Sequence, residues 1–345
     1  MPAKERESVV KRPAISVIGA GVAGLSCAVE LSARGFAVEV VERAAALGEG
    51  ACSWMAGGML APWCERATTD EAVARLGVPS IDWWRRHFPG TVCKGSLVVA
   101  PARDAADLTR FAQRTERFDW IDGDRLGDLE PDLAGRFRRS LFFPDEAHLD
   151  PRKALAGLAA TLAARGVPIR FGTTDAGTAS RAGTGVSMVV DCRGLAARDR
   201  LADLRGVRGE MMVVRTRELS LSRPVRLLHP RIPLYIVPRG EGLFMIGATM
   251  IESEERRGVS LRSAVDLMNA AYTLHPAFGE AEIVELGADL RPAFPDNLPQ
   301  LRHVDGVLHA NGLFRHGFLL APWLAGEVAA SLETKDEDLP ERRRA

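Results

Sequence analysis

Two rhythms of apolar and polar positions divide this chain. In the front part a short apolar run at 15–18 (ISVI) enters a glycine turn, apolar positions at helical spacing follow over 22–34, and a second run at 37–41 (AVEVV) ends in Glu42. That order predicts strand, helix, strand. Helical spacing returns over 69–87, with DWWRRHF as the last turns, then over 104–116 and over 122–131, where a proline stops it; 95–100 and 140–143 predict strands. Asp150 is a good N-cap with Pro151 at the first helical position, and the amphipathic run 153–165 ends at Gly166. Strands at 167–171 and 187–192 follow, the second closed by Arg193 and Gly194.

From residue 209 the rhythm changes. GEMMVV (209–214), PLYIVP (233–238), LFMIGA (243–248) and 282–290 run apolar or alternate with turn residues between them, which predicts a mostly antiparallel sheet. One helix, 261–272, interrupts it. A strand at 307–310, a turn containing Gly312 and Gly317, and a helix to about 332 complete the pattern. The fold class is α/β: a discontinuous dinucleotide-type domain joined to a second, α+β domain.

The front turn carries chemistry. Gly19, Gly21 and Gly24 stand in G-x-G-x-x-G spacing between a strand and a helix; they allow in turn a tight bend, close approach of a pyrophosphate, and helix-on-strand packing. The helix N-terminus then faces the phosphates, where free N–H groups and the macrodipole favour negative charge. Glu42, roughly 20 residues on, is placed for a ribose diol. These residues select an ADP-containing dinucleotide and leave FAD and NAD open.

Composition narrows the remaining classes. The 345 residues are 46% hydrophobic, enough for a sizeable core in two domains. Lys plus Arg equals Asp plus Glu at 45 each, so no global charge favours nucleic acid or an anionic membrane. The five cysteines are widely spaced without C-x-x-C, which argues against a disulfide framework or a metal site and fits a reducing cytoplasm. No apolar stretch reaches the ~18 residues of a membrane span. The polar ends, 1–12 and 336–345, read as flexible tails, with fraying from 333 on.

The segment 45–65 (AALGEGACSWMAGGMLAPWCE) has neither helical nor strand period, yet it is apolar and rich in small residues. Such a loop suits contact with a flat ligand. Trp83 and Trp84 read as packing residues, because nothing basic and aromatic alternates around them.

Taken together, GAGVAG, AGGMLAP (56–62), GEMMVV, YIVPR (235–239), IGAT (246–249), LRPAFPDNLP (290–299) and NGLFRHGFLLAP (311–322) resemble the FAD-dependent D-amino-acid oxidase superfamily, most closely its glycine oxidase branch of thiamine thiazole biosynthesis. The resemblance runs in consistent order over 15–332. It implies FAD in a glutathione-reductase-like Rossmann domain built from 13–80, 145–208 and 292–335, with a substrate domain from 81–144 and 209–291. It also implies Val22 and Ala23 at the pyrophosphate and Glu42 and Arg43 at the ribose and adenosine. Cys52, Ser53, Gly57, Gly58 and Met59 fall to the flavin half, Gly194 to the cofactor wall, and Leu313, Phe314, Arg315, His316, Gly317, Phe318 and Leu319 to the ring's pyrimidine side.

Arg291 and Tyr235 are implied to fix the substrate carboxylate, the planar fork of Arg matching it bidentately. Arg315 lines the site or fixes the loop facing the flavin, and His316 is a structural loop residue more readily than a base. The implied reaction is oxidation of glycine, sarcosine or a small D-amino acid by hydride transfer, with dioxygen as acceptor, no obligatory side-chain base, thiazole synthase as a partner and a homo-oligomeric state. Three readings compete: a dehydrogenase passing electrons to a quinone, which a membrane-docking helix would favour and none is evident; a non-catalytic flavin-binding partner protein, which loss of Arg291 or Tyr235 would favour; and an NAD-dependent dehydrogenase, which leaves the 45–65 loop and Gly317 without a ligand. Trp54 and Met55 depart from the small residues usual before AGGM, and nothing in DNLP reports side-chain size.

Overall fold

The computed structural model describes residues 14–173, 186–228 and 234–337. The tails at 1–12 and 338–345 lie outside the described residues, as does Pro233 at the start of its expected strand. The front unit forms as its pattern dictates: β1 (Ala14–Ile18), α1 (Val22–Ala33) and β2 (Ala37–Val41), with β1 and β2 parallel. The aperiodic loop then folds back on itself through a 3₁₀ turn (Cys52–Met55), β3 (Met59–Leu60) and α2 (Pro62–Arg66). After it come α3 (Glu71–His87), β4 (Ser96–Val99), α4 (Ala105–Ala112), β5 (Asp119–Asp122), α5 (Gly123–Leu129), β6 (Arg139–Phe143) and β7 (Ala147–His148).

The chain continues with α6 (Pro151–Ala164), β8 (Ile169–Arg170), β9 (Val186–Asp191), β10 (Arg205–Arg215), β11 (Val225–Leu227), β12 (Leu234–Gly240) and β13 (Leu243–Gly247). It ends with α7 (Leu261–Leu274), β14 (Glu282–Ala293), β15 (Gln300–Val304), β16 (Val307–Asn311) and α8 (Gly317–Glu337).

Two main sheets result. One has the order β15-β16-β9-β1-β2-β8 and is parallel apart from the β15–β16 hairpin. The other has the order β14-β10-β13-β12-β11-β4-β6-β5 and is antiparallel apart from β11–β4. Around the first sheet, α1, α3, α6 and α8 bury Leu25, Leu31, Trp84, Leu158, Leu324 and Val328. Full burial of each such side chain stabilises by roughly 1.5–3 kcal/mol, which outweighs the ~1 kcal/mol that Gly24 costs helix α1. The second core lies between the other sheet and α7, with Leu97, Ile236, Phe244, Leu267 and Leu274 buried.

Several expectations need correction. The 122–131 helix begins only at Gly123, because Asp122 closes β5 and then caps α5 by accepting the Arg125 N–H at 2.9 Å. The helix expected over 104–116 stops at Ala112, and the Thr115 hydroxyl bonds instead to the Trp63 carbonyl. The 167–171 strand contracts to Ile169–Arg170. Residues 333–337 are helical rather than frayed, and Glu333 pairs with Arg34 at 2.8 Å. The divide drawn at 80/81 falls inside the continuous α3, whose Trp83 and Trp84 belong to the first core. Trp84 confirms its packing role by donating its indole N–H to the Phe318 carbonyl at 2.7 Å.

Candidate active site

The glycine turn is built by contacts that no other residue allows. Gly19 has φ +104°, and a Cβ there would lie 2.8 Å from the Cys192 carbonyl oxygen; a Cβ on Gly24 would lie 1.8 Å from the Gly19 oxygen. Gly24 is therefore a packing residue, away from the cavity that the turn heads. Gly21 caps α1 without a side chain, and the hydroxyl of Ser53 accepts the Val22 N–H at 3.3 Å. Glu42 accepts the Ala20 N–H at 2.7 Å and the Ala44 N–H at 2.9 Å, so the residue expected at the ribose also clamps the turn to its own loop.

A cleft of about 1460 Å³, measured to its open mouth, starts here. Gly19, Gly21, Val22, Ala23, Glu42, Arg43, Cys52, Ser53, Gly57, Gly194, Tyr235, Arg291, Leu313, Phe314, Arg315, Gly317 and Phe318 line it. A second cavity adjoins it and takes Gly58, Met59, His316 and Leu319, which do not line the first. Gly57, Tyr235, Arg291, Arg315, Gly317 and Phe318 line both, so the two meet there.

The second sheet supplies the floor of this junction. Its register sets Tyr235 opposite Gly247, Gly247 opposite Met211, and Met211 opposite Gly287 across β12, β13, β10 and β14. Arg291 lies four residues beyond Gly287 on β14, hence on the same face. Its guanidinium crosses Gly209, where a Cβ would meet Nη2 at 2.2 Å; a Cβ on Gly57 would meet Cε2 of Tyr235 at 2.7 Å. Glycine at these two positions makes room for the two side chains.

Charge is distributed unevenly. Arg291 donates from Nη1 to the carbonyl oxygens of Thr249 at 3.1 Å and Arg208 at 3.5 Å, and no carboxylate pairs with it among the described residues. Burial pushes its pKa down, so the site holds a cation short of a counter-charge. Arg315 is paired by charge, its Nη2 2.9 Å from Oε2 of Glu65, while the other carboxylate oxygen of Glu65 accepts a hydrogen bond from buried Arg226. Burial alone would raise the Glu65 pKa, but Arg226 and then Arg315 pull it down to about 2. His316 is buried, and burial drives it down to about 4, leaving a neutral ring. Burial pushes the Cys52 thiol up to about 12, assisted by the charge of Asp289, so it stays protonated.

Glu65, Gly209 and Thr249 carry no signal of a site role in the sequence, yet they line these cavities through long-range contacts. Among the described residues no cluster of His, Cys, Asp and Glu could hold a metal ion, and no helix is long and apolar enough to cross a membrane.

Fold and site together define a dinucleotide-binding α/β protein in which the cleft headed by the glycine turn adjoins a second cavity. The family described as FAD dependent oxidoreductase (DAO) matches residues 14–332. A putative thiamine biosynthesis oxidoreductase, ThiO, of Rhizobium etli is 54% identical over 95% of this chain and 99% of its own length. The glycine oxidase of Geobacillus kaustophilus is 27% identical over 94% of this chain and 93% of its own. Its crystal structure superposes with a TM-score of 0.75 at 25% identity over 94% of this chain and 95% of that one. A bifunctional ThiO/ThiG protein of Synechocystis is 26% identical over 91% of this chain, which covers 51% of that protein. The chain belongs to the FAD dependent oxidoreductase family, and it is an FAD-using enzyme of the glycine oxidase and ThiO type.

The cleft fits that cofactor. The bare glycine turn and the N-terminus of α1 suit a pyrophosphate, and a Cβ on Gly21 would meet nothing nearer than the Ser53 hydroxyl at 3.5 Å, so the backbone there is open to close approach.

Proposed function

We propose that this protein oxidises glycine or another small amino acid to its imine, with dioxygen as the final acceptor. For glycine, dioxygen and water the products are glyoxylate, ammonia and hydrogen peroxide. Bound FAD supplies the hydride acceptor for the substrate's Cα–H. The observation carrying the reading is Arg291, whose part-buried guanidinium lies at the junction of the two cavities and bonds, among the described residues, to carbonyl oxygens alone. A substrate carboxylate provides the missing charge and occupies the planar fork. Tyr235, whose hydroxyl has no hydrogen-bond partner among the described residues, donates to the same group.

These two residues fix the carboxylate, and the substrate's free amine assists hydride departure as its lone pair forms the C=N bond. His316, whose basicity burial lowers to a pKa of about 4, and protonated Cys52 are both poor proton acceptors, which supports a mechanism without a side-chain base. The chain's contribution is positioning and charge.

On the cofactor side, the glycine turn and the N-terminus of α1 would hold the pyrophosphate, Glu42 and Arg43 the ribose and adenosine, and Ser53 and Gly57 the flavin half. The segment 313–319, leading into the N-terminus of α8, would cover the pyrimidine side. We divide the chain into an FAD unit on the parallel sheet and a substrate unit on the antiparallel one. Supply of the imine to thiazole synthase in the cytoplasm accords with the ThiO relative and with the fused ThiO/ThiG protein.

The test is oxygen uptake by purified protein with glycine, sarcosine and D-alanine, followed with peroxide and ammonia. Stoichiometric peroxide from at least one of them is expected. Turnover only with a quinone acceptor would replace the oxidase reading with a dehydrogenase.

A further inference from the structure

We propose that Glu65 determines specificity by holding Arg315, so that the site takes amino acids with one carboxylate and turns away those carrying a second. The inference rests on the amino-acid oxidase reading above. Two guanidinium groups line both cavities, and only their partners distinguish them. Arg291 has carbonyl oxygens; Arg315 has Glu65 at 2.9 Å.

Glu65 is itself buried, lines the second cavity and is anchored from behind by buried Arg226. It stays ionised, because the two arginines outweigh the effect of burial. A second substrate carboxylate reaching Arg315 must therefore displace Glu65 or sit against its charge, and a like charge there is disfavoured.

The other groups facing this cavity do not reverse the balance. His316 is neutral. Arg262 and Asp266, one turn apart on α7, bring opposite charges to its mouth. Discrimination thus comes from a repulsive element beside an attractive one, and nothing need occlude the larger substrate.

The test compares N-(carbamoylmethyl)glycine with iminodiacetate, which differ only in an amide replacing the second carboxylate. Wild-type enzyme is expected to favour the amide at least about tenfold in kcat/KM. In Glu65→Gln that ratio is expected to shrink by about tenfold or more, chiefly through the KM for iminodiacetate, as Arg315 becomes free to bind the acid. A purely structural role for Glu65 would lower both substrates together.

Should the single variant not accumulate as folded protein, Glu65→Gln with Arg226→Met removes one buried anion and one cation and must narrow the same ratio. Equal wild-type rates on the two compounds, or a ratio unchanged in the folded variant, would overturn the proposal. Absence of any turnover with glycine, sarcosine or the amide would overturn the oxidase reading beneath it.

Discussion

Arg291 lies across Gly209: a Cβ built on that glycine would meet Nη2 of the guanidinium at 2.2 Å and Cζ at 2.3 Å. Gly209 faces Asp289 across the β10–β14 ladder, two residues from Arg291, so the arginine leans over the neighbouring strand instead of standing above its own. The glycine therefore sets where the cation points.

Gly209→Ala follows directly. The guanidinium is the far end of a flexible side chain, so it can move aside, and the fold should lose little. The carboxylate fork is displaced, however. KM for the amino acid is expected to rise roughly 10- to 100-fold, since an ångström of misplacement costs on the order of 100-fold. Flavin content should be unchanged. Steady-state kinetics beside the flavin-to-protein absorbance ratio check both.

Tyr235→Phe removes one hydrogen bond to a charged group and leaves the ring that packs beside Gly57. Such a bond contributes about 1.5–3 kcal/mol, so a loss of roughly 10- to 100-fold in kcat/KM is expected. Titration with a non-reactive carboxylate ligand should show the same weakening.

The parts of this site visible in the sequence are those written locally. Gly19, Gly21, Gly24 and Glu42 lie in one strand-turn-helix-strand unit whose spacing alone states its chemistry. Arg291 and Tyr235 were reached only through the surrounding motifs. Gly209 looked like the start of an ordinary strand, because its role exists only once β10 and β14 pair in this register. Glu65 read as the end of an apolar loop, and its partner Arg226 is 161 positions away. The strands β5 (DWID), β11 (VRL) and β15 (QLRHV) escaped for another reason: they are short, and charged or polar residues break their alternation.

His316 offers a pH test. Its pKa is driven from the ordinary range to about 4 by burial, with the positive charges of Arg315, Arg226 and Arg291 adding to the effect and Glu65 opposing it. The ring is neutral throughout the assay range. His316→Gln is therefore expected to leave the shape of the kcat profile between pH 6 and 9 unchanged and to keep activity within about fivefold, less than the loss expected from removing a general base. Loss of an inflection in the variant would make the histidine a participant.

Glu146 bears on stability. Burial lifts its pKa to about 8, against opposing bonds from the Ser96 hydroxyl and the Cys64 N–H, the latter at 2.6 Å. The folded state keeps a proton that the unfolded chain releases near pH 4.3. Its contribution is fully present below that pH and is lost as pH rises through about 8, by up to about 1.4 kcal/mol per pH unit. The low pKa values of His148 and His316 act oppositely below pH 6.5, so the comparison must be differential. Glu146→Gln should gain melting temperature relative to wild type steadily from pH 5 to 8; a constant offset would contradict a protonated Glu146.

Arg291 at the cavity junction presents a small amino acid to FAD in the proposed reaction. The most direct measurement is the visible flavin spectrum of purified protein mixed anaerobically with glycine, with wild type beside Arg291→Met. Bleaching of the wild-type band is expected and, in the variant, an intact band at glycine concentrations that reduce the wild type fully. A variant bleached as readily as wild type would contradict it.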